Sequence, residues 1–499
     1  MERTWTALAL AGAMVFQLAA CGASNSGGGS SSANSGTESA LVLSDQSVTL
    51  DGNTISEGTD GAVTVSHDIV YYQAGQGEDY GAGSADDEHT AEEAGAHTVV
   101  TIRKAGTYRV SGSLSAGQLA VDLGDDAKTD PSSVVTLILD GVDITCTVAP
   151  AAIFYNVYEC DADFVAYDNE ETDNYVSSPT VDTSAAGANV ILADGSVNNI
   201  SGSYVARIYK EGTTKKLHKY DGAFYSKMSM NIGGESEGDG VLNITGENEG
   251  LDTELHLTIN GGNVYTMANQ ASPDGGLDAD EDILINGGYV VAVGIRNDPI
   301  SDDSAQQYIQ LTFASVLPAG SQIALTDDSG DQLLSFTLEK SAQSIVFSSP
   351  DLKQDVDYTL TVDGVTQQYT GTSAGGMGPG NGGQPPELPD GQQPGDGSQP
   401  GQDGQQPPQS DGQQPPEKPD GSQAPNTNGQ QPPEKPDGDS AQQDRPQPPE
   451  NGGQAPDGQA PGTQPGQNQT QDSQTEPSTQ FTLTGDHHAF SGISDSENG

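Results

Sequence analysis

Apolar residues recur along this chain in short alternating or β-branched runs, and the runs end in turn pairs. Residues 134–139, 190–192, 255–259 and 283–285 are such runs, and each lies just ahead of an Asp-Gly or Asn-Gly pair. Helical spacing is nearly absent, so the pattern predicts an all-β fold. Part of it also repeats. Gly250-Leu251-Asp252 followed by Ile259-Asn260-Gly261-Gly262 returns as Gly276-Leu277-Asp278 followed by Ile285-Asn286-Gly287-Gly288, with both elements displaced by the same interval. A short repeat that keeps its internal register predicts the coils of a solenoid, because each coil leaves apolar side chains that only a stacked neighbour covers. The expectation is a right-handed parallel β-helix over 41–304. Corners at Leu139-Asp140-Gly141 and Ala193-Asp194-Gly195 are separated by close to twice that interval, which predicts two coils between them. A hairpin-rich sandwich is the competing architecture; it explains the turns without the shared period. Over 305–372 the period is lost, and runs at 308–313, 322–325, 333–338, 344–347 and 358–362 predict a small antiparallel β module closing the solenoid.

Outside that region the hydrophobic pattern changes character. Residues 5–18 form an apolar run of signal-peptide length, shorter than the roughly 20 residues of a membrane-spanning helix. It ends in Leu18-Ala19-Ala20-Cys21, which resembles a lipobox. The expectation is a lipoprotein signal peptide over 1–20, acylation of Cys21, and a flexible linker over 21–40. An ordinary secretory signal with a chance cysteine is the alternative. Acylation would place the protein outside the cytoplasm, lipid-anchored to the bacterial cell membrane and exposed at the cell surface, with the lipid as its only membrane contact. Residues 373–480 contain no aromatic side chain, and Leu388 is their single Leu, Ile or Val. Within them the nonapeptide at 413–421 recurs at 430–438. This predicts a long disordered Pro/Gln/Gly-rich tail acting as a linker. Over 481–499, Phe481, Leu483, Phe490 and Ile493 restore apolar alternation and predict a strand returning to the folded body.

Charge narrows the function. The 499 residues carry 72 acidic and 17 basic side chains, a formal charge of −55, which excludes nucleic acid and anionic lipid surfaces as natural partners and favours divalent cations. The mature chain keeps only Cys146 and Cys160 besides Cys21, which is no disulfide framework and no zinc spacing; pairing between them and two free thiols remain equal options.

The ordered set Gly106-Thr107-Tyr108-Arg109-Val110-Ser111-Gly112, then Val135-Thr136-Leu137-Ile138-Leu139-Asp140-Gly141-Val142, then the Gly-Leu-Asp and Ile-Asn-Gly-Gly coils resembles the clostridial carbohydrate-binding β-helix lipoproteins over roughly 65–372. That resemblance implies a pectate-lyase-like fold, Ca2+ binding, and a surface module for cellulose or acidic, pectin-like plant polysaccharide. The Pro/Gln-rich stretch has no counterpart in it.

The residues make their own case for a site. Equivalent positions on successive coils of a β-helix stack about 4.8 Å apart, twice the roughly 2.4 Å Ca2+–oxygen distance, so stacked carboxylates can share one ion. Asp252 and Asp278 occupy equivalent positions, as do Glu254 and Asp280. Glu249 and Asp282 crowd the same edge, together with Glu247, Asp274 and Glu281. Asp252, Glu254, Asp278, Asp280, Glu249 and Asp282 are therefore the candidate metal ligands, with solvated turn carboxylates as the competing reading. A basic island stands against this acidic background. Residues 204–210 and 215–220 read as a hairpin in which Arg207, Lys210, Lys215, Lys216 and Lys219 meet uronate carboxylates while Tyr209 and Tyr220 stack on sugar rings. A charged outer face balancing nearby acids is the alternative. No catalytic residue is assigned, because no nucleophile elbow, zinc motif or phosphate loop is present. The expected function is non-catalytic polysaccharide binding, with a structural surface adhesin or wall protein, or a pectate-lyase-like enzyme, as the other readings.

Overall fold

The computed structural model describes residues 38–77, 80–162, 182–213, 215–270, 272, 275–373, 473–485 and 488–496. Cys21, Asp274 and residues 374–472 lie outside them. The described chain is nearly all β, with a five-residue α-helix at Ala91–Gly95 and short 3-10 turns at Asp125–Thr129 and Thr183–Ala185, and among the described residues no helix is long and apolar enough to cross a membrane. The sheets are mixed. Parallel pairing prevails from Thr98–Ile102 to Tyr289–Gly294, and antiparallel pairing lies on either side of it.

The parallel ladders explain why alternation dominates the sequence. In one of them Tyr108, Leu137, Val190, Ile232, Ile259 and Ile285 follow one another in register. In the facing sheet Leu119, Ala152, Phe224, Leu251 and Leu277 do the same. All of these side chains are buried in one continuous core. Each fully buried Leu, Ile or Phe contributes roughly 1.5–3 kcal/mol, and it does so only because the strands before and after it cover its flanks.

The register corrects two expectations. Leu139 pairs directly with Leu192, so the corners at Asp140 and Asp194 belong to neighbouring strands with no further coil between them. The extra length is insertion. Strand Ala152–Asn156 is followed only at Ala188 by the next strand of the core, and the hairpin follows Gly202; added length between strands preserves the ladder. Only the last strands keep the short period, with Leu257 on Ile283 and Asn263 on Tyr289. Secondly, strand Ser473–Ser478 falls inside the stretch 373–480 expected to lack structure; it pairs antiparallel with Val365–Ser373. Backbone pairing onto an available strand edge needs no apolar side chain, which is why composition gives no sign of it.

Two devices close the structure beyond Gly294. Strand Ala342–Ser348 lies antiparallel on Tyr289–Gly294 and starts a second apolar cluster that takes in Leu311, Phe313, Leu360, Phe481, Phe490 and Ile493. At the outer edge of Leu277–Ala279, side chains replace a further strand: Leu277 N donates to Asn297 Oδ1 at 3.1 Å and Ala279 N to Asp298 Oδ2 at 3.2 Å. The edge is thereby blocked against adding another chain. Cys146 and Cys160 are both free thiols.

Candidate functional site

On strands Gly222–Ser226, Glu249–Thr253 and Leu277–Ala279, the row Phe224, Leu251, Leu277 forms core, and the adjacent row Tyr225, Asp252, Asp278 alternates to the other face. Asp252 and Asp278 are thus stacked neighbours. At the corner feeding this row, Asp221, Glu249 and Asp252 each bring a carboxylate oxygen within 4.8 Å of the other two. Close approach is possible because position 222 is glycine: a Cβ there would stand 2.7 Å from Asp252 Cβ. Glu249 and Asp252 are buried. Burial, then the charges of Asp278 and Asp221, pushes the Asp252 carboxyl well above the usual carboxylate range. Three hard oxygen donors at this spacing, two of them out of solvent, suit Ca2+, since two oxygens each about 2.4 Å from one ion can be no more than about 4.8 Å apart.

The expected ligand set divides accordingly. Glu249 and Asp252 belong to the trio, Asp278 is the next residue in the row, and Asp280 lies outside the trio, where burial of its carboxyl and then the Glu254 charge push it up to about 6. Glu254 stands outside the trio, held beside it by Lys216 and the Tyr225 hydroxyl, and the electrostatic neighbours of Asp282 are His256 and Asp303. Asp221 carries no signal of its role in the sequence, because it follows the basic island and shares no period with the Gly-Leu-Asp repeats.

That basic island is a hairpin, with Val205–Tyr209 antiparallel to Lys216–Tyr220. It does not project freely. Val205, Ile208 and Tyr220 are buried, and the hairpin is tied to an earlier segment by Ala82 N to Arg207 O at 2.9 Å and Tyr209 N to Tyr80 O at 2.8 Å. These buried side chains dock it against the rest of the fold, with Tyr220 packed on Tyr155 and Tyr225. Its lysines therefore reach the acidic corner. Lys216 Nζ lies 3.1 Å from Glu254 Oε1, and Lys219 is ion-paired with Asp221. Burial alone would lower both ammonium groups, but Glu254 and Asp221 override it and hold them above the ordinary lysine value.

Arg207, Lys210 and Lys215 are exposed along the hairpin. Tyr209 is partly exposed, whereas Tyr220 is 2% exposed and stands edge-on to Tyr155 at 5.5 Å. Tyr220 is thus a packing residue and offers no face to a sugar, a correction that follows from the docking of its strand. The Tyr225 hydroxyl reaches Glu254 Oε1 at 2.7 Å. Replacing Tyr225 by Phe should cost roughly 1–3 kcal/mol in denaturant titration, because Glu254 is then left with Lys216 alone in a part-buried position.

The docked hairpin leaves a cleft on each side. One, of about 440 Å3, is floored by Thr101, Gln118 and Ala120 and bordered by Arg103, Lys128 and Lys227. The other, of about 800 Å3, runs between the hairpin and residues 69–77, with Tyr71, Tyr80 and Tyr209 along it. Leu217 and His218 separate the two.

Fold and site together define a nearly all-β protein with an acidic corner beneath a lysine-bearing hairpin and grooves along its flank. Residues 96–313, which carry the parallel ladders, the hairpin and the acidic corner, match the family model described as "Carbohydrate-binding domain-containing protein". Among solved structures the chain is similar to the polysaccharide lyase-like protein from C. thermocellum, in a gadolinium derivative, at 21% identity and a TM-score of 0.29 over 50% of this chain and 68% of that one. No curated protein matches.

Proposed function

We propose that this chain is a cell-surface lipoprotein, acylated at Cys21, whose region 41–304 is a parallel β-helix that binds polysaccharide with the help of Ca2+. The observation that carries this reading is the convergence of Asp221, Glu249 and Asp252 within 4.8 Å, directly beside lysines of a hairpin flanked by open grooves. The match of residues 96–313 to a carbohydrate-binding family model supports it. A bound Ca2+ would supply a hard electrophilic centre for sugar hydroxyl or carboxylate oxygens. Asp221, Glu249 and Asp252 would hold it, with Asp278 next in the row. Lys216 and Lys219 offer ammonium groups at the same corner, and Arg207, Lys210, Lys215 and the ring of Tyr209 extend the surface along the hairpin. An acidic, pectin-like glycan suits this mixture better than a neutral one, because its carboxylates pair with both the cation and the lysines.

A lyase would need an uncharged base beside the uronate. Glu254 and Asp221 keep Lys216 and Lys219 protonated, which favours holding a carboxylate over removing a proton. The test is the triple replacement of Lys215, Lys216 and Lys219 by Ala, assayed on pectate and on a neutral glucan. Three cations at about 0.5 kcal/mol each should give about ten-fold weaker pectate binding with little change on the glucan. Equal binding of pectate by variant and parent would remove the hairpin from the reading.

A further inference from the structure

The strand Ala489–Asp495 is an interior strand of its module. It lies parallel to Tyr308–Leu317 on one side, with Leu311 opposite Phe490, and antiparallel to Val365–Ser373 on the other, with Gly371 opposite Ser491. Phe490 and Ile493 are each 1% exposed, and Phe490 sits edge-on to Tyr369 at 4.8 Å and to Phe481 at 5.2 Å. Without this strand, two neighbours would lose their ladders and an apolar slot would open between them. Yet the slot is filled by a segment joined to the rest of the module only through residues 374–472. The connection is far longer than the geometry demands. Ser373 pairs with Ala489 and Thr372 with Ser473, so the two ends already lie side by side and a short turn would join them.

The length has a thermodynamic consequence. A tight hairpin holds its second strand at very high effective concentration, whereas a connection of about a hundred residues lowers that to the order of 1 mM. The covalent link then gives a chain's own strand only a modest advantage over the identical strand of a neighbour. We propose that the C-terminal segment 473–496 is exchangeable, and that its partner is a second copy of this chain, into whose slot between Tyr308–Leu317 and Val365–Ser373 it inserts Ala489–Asp495 as a donor strand. Exchange conserves every ladder bond and buried contact, so its balance is set by concentration alone.

Gly371 and Ser491 provide the test. A Cβ built at Gly371 stands 3.7 Å from Ser491 Cβ, inside the about 3.5–4.5 Å that a disulfide spans. Two full-length chains are prepared, one carrying Gly371→Cys and the other, isotope-labelled, carrying Ser491→Cys, and they are mixed under mild oxidation. Neither chain can form the 371–491 disulfide within itself, so that link reports insertion between copies. Peptide mass mapping distinguishes it from any disulfide of the native cysteines. A single chain carrying both substitutions gives the yield for insertion within one chain. The inter-chain link is expected to rise with concentration to about a tenth of that yield near 0.1 mM, and to vanish when residues 374–472 are replaced by a tight turn. The proposal is overturned if the double variant closes while the mixture gives no inter-chain link up to about 1 mM. It is equally overturned if the double variant fails to close, because the strand would then not occupy the slot.

Discussion

Asp252→Asn should raise the melting temperature of the protein in chelator and remove most of the further rise that calcium brings to the parent. Asp252 is buried against Asp221 and Glu249 and stacked on Asp278, so in the cation-free state it must either bear like-charge repulsion or take up a proton. The amide keeps the shape and removes the charge. With calcium present the same substitution deletes a ligand. A cation at about 100 times its dissociation constant stabilises the folded state by about 2.7 kcal/mol, and the variant should retain little of that. The pH dependence carries the same sign. The folded-state pKa of Asp252 is raised above its unfolded value of about 4, so its neutral form contributes stability in full below about pH 4, and that contribution is lost as pH rises from there through the raised value. In chelator the parent should therefore lose stability over that rise while Asp252→Asn changes less. Calorimetric scans with and without calcium test all three outcomes; a variant that is less stable than the parent in chelator, yet gains as much from calcium, would show that Asp252 is a packing residue with no part in cation binding.

The second large effect is expected from Gly250→Ala. A Cβ at this position would overlap Thr266 Oγ1 and stand 2.7 Å from the Gly276 carbonyl oxygen. The Thr266 hydroxyl donates to that same carbonyl at 2.7 Å in a buried setting, so one methyl group both overpacks the corner and displaces an internal hydrogen bond. The loss should be about 3 kcal/mol or more in denaturant titration. Adding Thr266→Ala should recover part of it, since the clashing oxygen is then absent. A loss below about 0.5 kcal/mol, the range of an ordinary surface substitution, would mean that this corner relaxes freely and that the Gly-Leu-Asp spacing has no steric basis.

Gly250 also marks how much of the structure the chain's pattern reveals. The core rows are legible because alternation exposes them, and the stacking of Asp252 on Asp278 is legible because the last strands repeat at one interval without interruption. Elsewhere the register is broken by insertions, Val135 lying on Ala188 and Ala188 on Met230. A fixed period cannot be followed through such gaps. For the same reason Asp221 is silent in the sequence, because the docked hairpin separates it from the earlier strands and the strand that follows it lacks the Gly-Leu-Asp spacing. The hairpin's attachment is hidden by its charge: Lys216 and Lys219 dominate the composition, while Val205, Ile208 and Tyr220 decide where it lies. Asn297 and Asp298 likewise look like ordinary turn residues until Leu277 and Ala279 are seen to need acceptors.

Cation-dependent polysaccharide binding at the acidic corner is decided by one co-sedimentation experiment. The full chain and Asp252→Asn are each mixed with insoluble pectate in calcium and in chelator. The parent should pellet with the polymer in calcium and stay in solution in chelator, and the variant should stay in solution in both. Equal retention of parent and variant, or retention of the parent unchanged by chelator, would overturn this reading of the corner.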